Sequence, residues 1–248
     1  MLNIVIPMAG RGSRFQKEGF ELPKPLIPVK GRPMIELVIN NLRPKQEHRF
    51  IFLCLQEHID RYQINTQLEK WAPGCLLVTV DTVTEGAACT VLLAKQIINT
   101  DDPLMIANSD QWVDIDINSY LACMENSELD GLIMTMWADD PKWSFIRFDD
   151  LGNICEVIEK EVVSHEATVG IYNFKHGKYF VRAAENMIAK NLRVNNEFYV
   201  APAYNEMICL GSRIGYFNIG KEAAGMYGLG IPEDLTLFES LAVSGKIA

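Results

Sequence analysis

Four short apolar runs, at residues 2–7, 50–55, 76–80 and 104–107, alternate with helix-patterned segments through the first part of the chain. Successive strands joined by helices must run parallel, because the chain needs a long crossover to return to the same end of the sheet. The alternation therefore predicts a mostly parallel sheet with helices on both faces. One helix starts at Pro33, a favoured first helical position, and places Met34, Ile35, Val38, Ile39 and Leu42 on one face. Others are expected over 59–71 and 87–98. The second half changes character: 131–136, 145–148, 154–158 and 168–174 are strand-like, with a turn at Asp149 to Asn153, which predicts antiparallel additions. Helices near 178–191, 200–210 and 233–244 complete the picture. The expected fold is α/β, a single three-layer α/β/α sandwich with a mixed, mainly parallel sheet. At 248 residues and 48% apolar content the chain can bury a full core, so residues 1–248 are expected to form one domain.

The longest apolar runs fall far short of the ~20 residues that cross a bilayer. The N-terminus lacks the basic start and apolar stretch of a signal peptide. A cytoplasmic location without a membrane partner is the expectation. The cysteines at 54, 75, 89, 123, 155 and 209 form no Cys-x-x-Cys pair, and the four histidines show no ligand spacing. Neither a zinc site nor a disulfide framework is indicated, and reduced thiols are the default.

The first strand, Leu2 to Pro7, runs straight into Met8-Ala9-Gly10-Arg11-Gly12-Ser13-Arg14. Gly10 and Gly12 remove side chains where backbone N–H groups must approach an anion, and the two arginines add forked, permanently charged donors. Downstream, Pro23, Pro25 and Pro28 stiffen the backbone around Lys24 and fix its ammonium. Residues 1–32 carry six cations against Glu18 and Glu21, a local +4 in a chain whose net charge is −9. An acidic protein that concentrates cations in one loop region is built to gather a small phosphorylated ligand rather than nucleic acid. Two familiar phosphate loops are excluded: the dinucleotide-binding fingerprint needs a small residue where Phe15 stands, and no Gly-Lys-Ser/Thr is present.

In open parallel sheets the ligand lies at the carboxyl ends of the strands. After the strand ending at Val80 comes Asp81 to Ala88, where Gly86, Ala87 and Ala88 would let a planar base lie against the backbone. After 104–107 comes Asn108-Ser109-Asp110. A carboxylate there can hold Mg2+ through one or two oxygens, with phosphate and water completing the shell. Asp114-x-Asp116 imitates the metal pair of glycosyltransferases, a weak signal alone.

Together these blocks resemble the sugar-phosphate nucleotidyltransferase family, the nucleoside-diphosphate-sugar pyrophosphorylases, close to the cytidylyltransferase branch. Three spaced segments carry the likeness: Met8 to Arg14, Pro23 to Val29, and Gly31-Arg32-Pro33-Met34-Ile35. The resemblance implies a Rossmann-like nucleotide-diphospho-sugar transferase fold, with residues 1–130 as a nucleotide-binding half and 131–248 as an acceptor-binding half. It implies that Met8, Ala9, Gly10, Arg11, Gly12 and Ser13 wrap a triphosphate, that Arg14 and Lys24 hold the departing pyrophosphate, and that Glu85, Gly86, Ala87 and Ser109 serve the nucleoside. Asp110 would bind Mg2+. On the acceptor side it points to Ser144, Glu159, Lys160, Gly170, Glu197 and Tyr199. Two departures stand out: Glu161 replaces a proline after Lys160, and Gly228 occupies the position of the family's second metal-binding aspartate.

The implied reaction moves a nucleotidyl group from a nucleoside triphosphate to a sugar phosphate or similar small phosphorylated alcohol. Pyrophosphate leaves, and an activated sugar for surface polysaccharide synthesis is formed. A cytidylyltransferase for a non-sugar phosphate such as phosphocholine is the nearest alternative. A glycosyltransferase and a non-catalytic nucleotide-binding regulator stand further off, and homo-oligomerisation is left open.

Overall fold

The computed structural model describes residues 1–247. In chain order the first elements are β1 (Leu2–Pro7), α1 (Ser13–Lys17), the two-residue strands β2 (Pro28–Val29) and β3 (Arg32–Pro33), α2 (Met34–Leu42) and β4 (His48–Leu55). Next come α3 (Gln56–Tyr62), α4 (Ile64–Trp71), β5 (Leu76–Val80), α5 (Ala87–Leu92), α6 (Lys95–Ile98) and β6 (Leu104–Ala107). Then follow β7 (Gln111–Val113), α7 (Ile117–Asn126), β8 (Gly131–Trp137), β9 (Ser144–Phe148), β10 (Ile154–Glu159) and β11 (Glu166–Phe174). The last are α8 (Gly177–Ala189), α9 (Ala203–Cys209), β12 (Ile214–Glu222), β13 (Gly225–Gly228) and α10 (Pro232–Ser240).

One mixed sheet of 11 strands runs β5-β4-β1-β6-β11-β8-β12-β13-β7, with β9 joining β11 and β10 joining β9. The first four are parallel, as the β/α alternation predicts. β11 enters antiparallel between β6 and β8, with a register shift between Thr168 and Tyr172. Side chains of β1 alternate between two cores: Leu2, Ile4 and Ile6 face the layer of α2, α4 and α7, while Val5 faces that of α5, α8 and α9. Burying each such aliphatic side chain stabilises by about 1.5–3 kcal/mol, so both faces hold their helices. A third cluster packs Phe15, Trp112, Tyr227, Leu229, Leu235 and Phe238 together. It clamps α10 and β13 over the N-terminal loop.

Three expectations need correction. The helix at 59–71 is two, because Gln63 takes a left-handed conformation (φ 50°) between α3 and α4. The one at 87–98 breaks at Leu93 and Ala94 into α5 and α6. The one at 233–244 ends at Ser240, and 242–247 is 3-10 helix. α7, β7, β12 and β13 come in addition. α7 opens on Asp116, whose carboxylate accepts from the Asn118 N–H.

Candidate active site

Two clefts open side by side at the carboxyl ends of β1 and β6, and Lys24 lines both. Its stiffened 3-10 turn, Lys24–Leu26, follows Pro23 and keeps Pro25 and Leu26 buried, so the lysine stem leaves a fixed base. Gly12 passes directly over that stem: its φ is +64°, and a Cβ there would lie 3.1 Å from Lys24 Cβ. Gly10 faces open space instead, leaving bare backbone at the cleft edge.

The smaller cleft, about 360 Å³, is lined by Met8, Ala9, Gly10, Lys24, Gly86, Ala87, Ser109 and Glu197, with Pro7, Pro25, Val83, Thr84 and Thr90. Thr84 and Thr90 share a hydrogen bond of 2.6 Å, and the Thr84 hydroxyl donates to Gly86 O at 3.0 Å, so the wall before α5 is braced from within. Gly86 touches the 194–200 segment. A Cβ on it would come within 2.5 Å of Phe198 O, and Phe198 N donates to Glu85 O while Ala88 N donates to Phe198 O. Arg193 covers the Phe198 ring at 4.4 Å and pairs with Glu85 at 3.5 Å.

The larger cleft, about 520 Å³, gathers Gly12, Ser13, Arg14, Lys24, Asp110 and Lys160 with Asn108, Gln111, Lys142, Trp143, Gly228, Gly230, Ile231 and Asp234. Lys24 Nζ donates to Asp110 Oδ2 at 2.7 Å. The Asp110 backbone carbonyl accepts from Leu229 N, which lays the 228–230 segment against the aspartate. A Cβ on Gly230 would then sit 2.6 Å from Asp110 Oδ2, and one on Gly228 would sit 2.8 Å from Asp234 Oδ2. Burial raises the pKa of Asp234 above the ordinary carboxylate value, Lys142 opposes this, and Glu222, Glu233 and Asp110 add to it. Gly170, at φ +80°, is a spacer rather than a wall, since a Cβ there would strike the side chains of Asn108 and Gln111.

In the second half of the chain, Lys142 Nζ lies over the Trp143 ring at 4.9 Å and Lys160 Nζ over the Tyr199 ring at 5.7 Å. Lys160 Nζ also donates to the Lys142 carbonyl. Glu159, Glu197 and Tyr199 line a separate hollow of about 710 Å³ beyond β10. Burial pushes the Glu159 carboxyl up, against the pull of the Ser144 hydrogen bond and of Lys160. Ser144 donates to Glu159 Oε1 at 2.6 Å and is turned inward. Burial, reinforced by Glu197, pushes Tyr199 up to about 12. Ser144, Gly170, Arg11 and Glu85 line none of these hollows.

Sequence reading missed Asn108, Gln111, Lys142, Trp143, Thr84, Thr90 and Asp234. Asn108 and Gln111 flank Asp110 and were within reach; Lys142 and Asp234 carry no local signal of facing a cleft. Asp114-x-Asp116 has other work: Asp114 pairs with Lys246 at 2.6 Å and Asp116 caps α7. Among the described residues no three His, Cys, Asp or Glu side chains converge on a metal position. No helix among them is long and apolar enough to cross a membrane.

Comparison with known proteins adds the lineage. The family model described as nucleotidyl transferase matches residues 4–201. The chain is 26% identical over 180 residues to the bifunctional protein GlmU of Methanococcus aeolicus, covering 71% of this chain and 40% of that protein. It is 24% identical over 225 residues to the mannose-1-phosphate guanylyltransferase catalytic subunit beta of Drosophila pseudoobscura pseudoobscura, covering 88% of this chain and 58% of that one. It thus spans less than two thirds of the length of both. Among solved structures, the nucleoside-diphosphate-sugar pyrophosphorylase from Vibrio cholerae RC9 superposes with a TM-score of 0.79 at 24% identity, over 96% of this chain and 100% of that one.

Proposed function

The chain belongs to the nucleotidyl transferase family, and from that premise we propose that it transfers a nucleotidyl group from a nucleoside triphosphate to a sugar phosphate, releasing pyrophosphate and leaving an NDP-sugar. The observation that carries the reading is the position of Lys24, the cation shared by both clefts. A nucleoside resting on Met8 to Gly10 and the start of α5 would extend its phosphates past Lys24 into the larger cleft, where Arg14 and Gly12 stand. Lys142 and Lys160 enter that cleft from the other half of the chain and suit a phosphomonoester.

The chemistry asks for alignment and charge stabilisation rather than a covalent intermediate. An oxygen of the acceptor phosphate attacks the α-phosphorus as the bond to pyrophosphate breaks. A phosphomonoester is already ionised at neutral pH, so no general base is required. Lys24 and Arg14 would neutralise the charge growing on the leaving group, and Lys160, steadied against Tyr199, would fix the attacking phosphate. Asp110 fits a hard cation such as Mg2+: it offers carboxylate oxygens at a cleft edge, and an ammonium already rests on it. The ion, bound to Asp110 and phosphate oxygens, would supply charge neutralisation at the α-phosphorus. In this reading residues 1–130 hold the triphosphate and 131–248 the acceptor, and the product feeds surface polysaccharide synthesis in the cytoplasm.

Pyrophosphate release with each of four nucleoside triphosphates against a panel of sugar, polyol and alcohol phosphates tests the proposal. Release that depends on both a triphosphate and one sugar phosphate is the expected outcome. Release only with phosphocholine-type acceptors would move the chain to the cytidylyltransferase alternative, and none with any pair would remove the catalytic reading.

A further inference from the structure

Two aspartates from distant parts of the sequence reach the larger cleft over the same short segment. Leu229 is fully buried, whereas the glycines on either side of it line the cleft. Asp110 Oδ2 occupies the space above Gly230, and Asp234 Oδ2 the space above Gly228. A side chain at either glycine would displace a carboxylate, so the two glycines form a floor on which two acids rest.

Two observations indicate that this floor serves a cation. The Lys24 ammonium already stands on Asp110 as a positive counter-ion. Finally, α10 has no side-chain cap, and Asp234 sits in its first turn, where a carboxylate is electrostatically favoured but is not needed to tie down the helix start. The first turn of α10 therefore holds a preformed carboxylate facing the cleft.

We propose that Asp234 supplies, with Asp110, the second protein carboxylate to a divalent cation that arrives with the triphosphate. The inference rests on the nucleotidyl-transfer reading above. Gly228 is then not a lost ligand: it is the clearance that lets a carboxylate six residues downstream reach the position. Two monodentate carboxylates with phosphate and water oxygens make a shell of the kind Mg2+ accepts. In the free protein Lys24 holds Asp110, so the cation binds weakly until the triphosphate draws that ammonium away.

The test measures how much Mn2+ tightens binding of the four α,β-methylene nucleoside triphosphates, by calorimetry in Mn2+ and again in chelator. The wild type should show tightening with at least one analogue. Asp234→Asn should lose at least ~10-fold of that tightening with its chelator affinity unchanged, on the scale of disturbing a metal's immediate surroundings. Gly228→Ala, which keeps every charge but fills the space beneath Asp234, should lose it too, and this variant decides the matter if Asp234→Asn melts early. Tightening unchanged in both variants but abolished in Asp110→Asn would overturn the assignment. No analogue binding by the wild type in either condition would instead sink the nucleotidyl-transfer reading, and this inference with it.

Discussion

Lys24 joins three constraints in one side chain. Prolines fix where its stem begins, Gly12 passes over the stem so closely that a Cβ there would lie 3.1 Å from Lys24 Cβ, and Asp110 receives the ammonium at 2.7 Å. A cation positioned in this way needs little reorganisation when charge develops on a leaving pyrophosphate. Lys24→Ala or Arg14→Ala should therefore lower turnover by ~10²-fold or more while leaving the circular dichroism spectrum unchanged. Near-normal pyrophosphate release in both would contradict the clamp. These residues were legible because glycine and proline have backbone consequences that do not depend on tertiary context. Lys142 and Asp234 were not: a lysine after a proline and an aspartate in a helix's first turn are ordinary surface choices, and only the meeting of distant strands turns them into a cleft.

Among elements, β1, β4 and β6 were readable because burial on both faces leaves continuous apolar runs, and β5, half-buried at the sheet edge, because it is rich in β-branched and aliphatic residues. β12 was not, since its side chains are mostly exposed or half-buried and carry little pattern. β7 is three residues long, too short for any period. The break between α3 and α4 hides from hydrophobic periodicity, because apolar spacing continues across Gln63 while its φ turns positive. α3 also carries a titration that the sequence does not announce. His58 is buried, its Nδ1 has no hydrogen-bond partner among the described residues, and burial lowers its pKa below the ordinary value against the weaker opposing pull of Glu57. The unfolded chain takes up that proton first as pH falls through about 6.5. His58 therefore contributes stability that is fully present above that value and declines below it. Melting temperature should drop between pH 7 and pH 5, with a shallower drop in His58→Phe; equal slopes in the two proteins would exclude His58 as a source.

At the scale of the whole molecule, the two halves share one sheet through β6–β11 and β7–β13, and beside the clefts they meet at two further places: at the larger cleft, where Lys142, Lys160 and Asp234 face Arg14 and Asp110, and at the backbone contact between Gly86 and Phe198. The two meetings predict different kinetic signatures. Lys160→Ala should raise the acceptor KM or depress kcat with triphosphate binding nearly unchanged, because in the proposed reading it would hold the acceptor alone. Gly86→Ala, which would drive a Cβ into Phe198 at a φ of +121°, should raise both KM values. A Gly86→Ala defect confined to the triphosphate would show that the contact transmits nothing. The strand order that brings 198 beside 86 lies beyond any reading of local pattern, since it depends on β11 crossing the sheet between β6 and β8. The contact also bears on how such a chain diversifies. With Glu197 lining the smaller cleft and Phe198 bonded to Glu85 and Ala88, the proposed assignment of the clefts would make the choice of base and the choice of acceptor share one piece of backbone. On that assignment, a lineage that changed one would be pressed to retune the other. Anyone grafting a new acceptor segment at 194–200 should expect to carry 84–88 along with it.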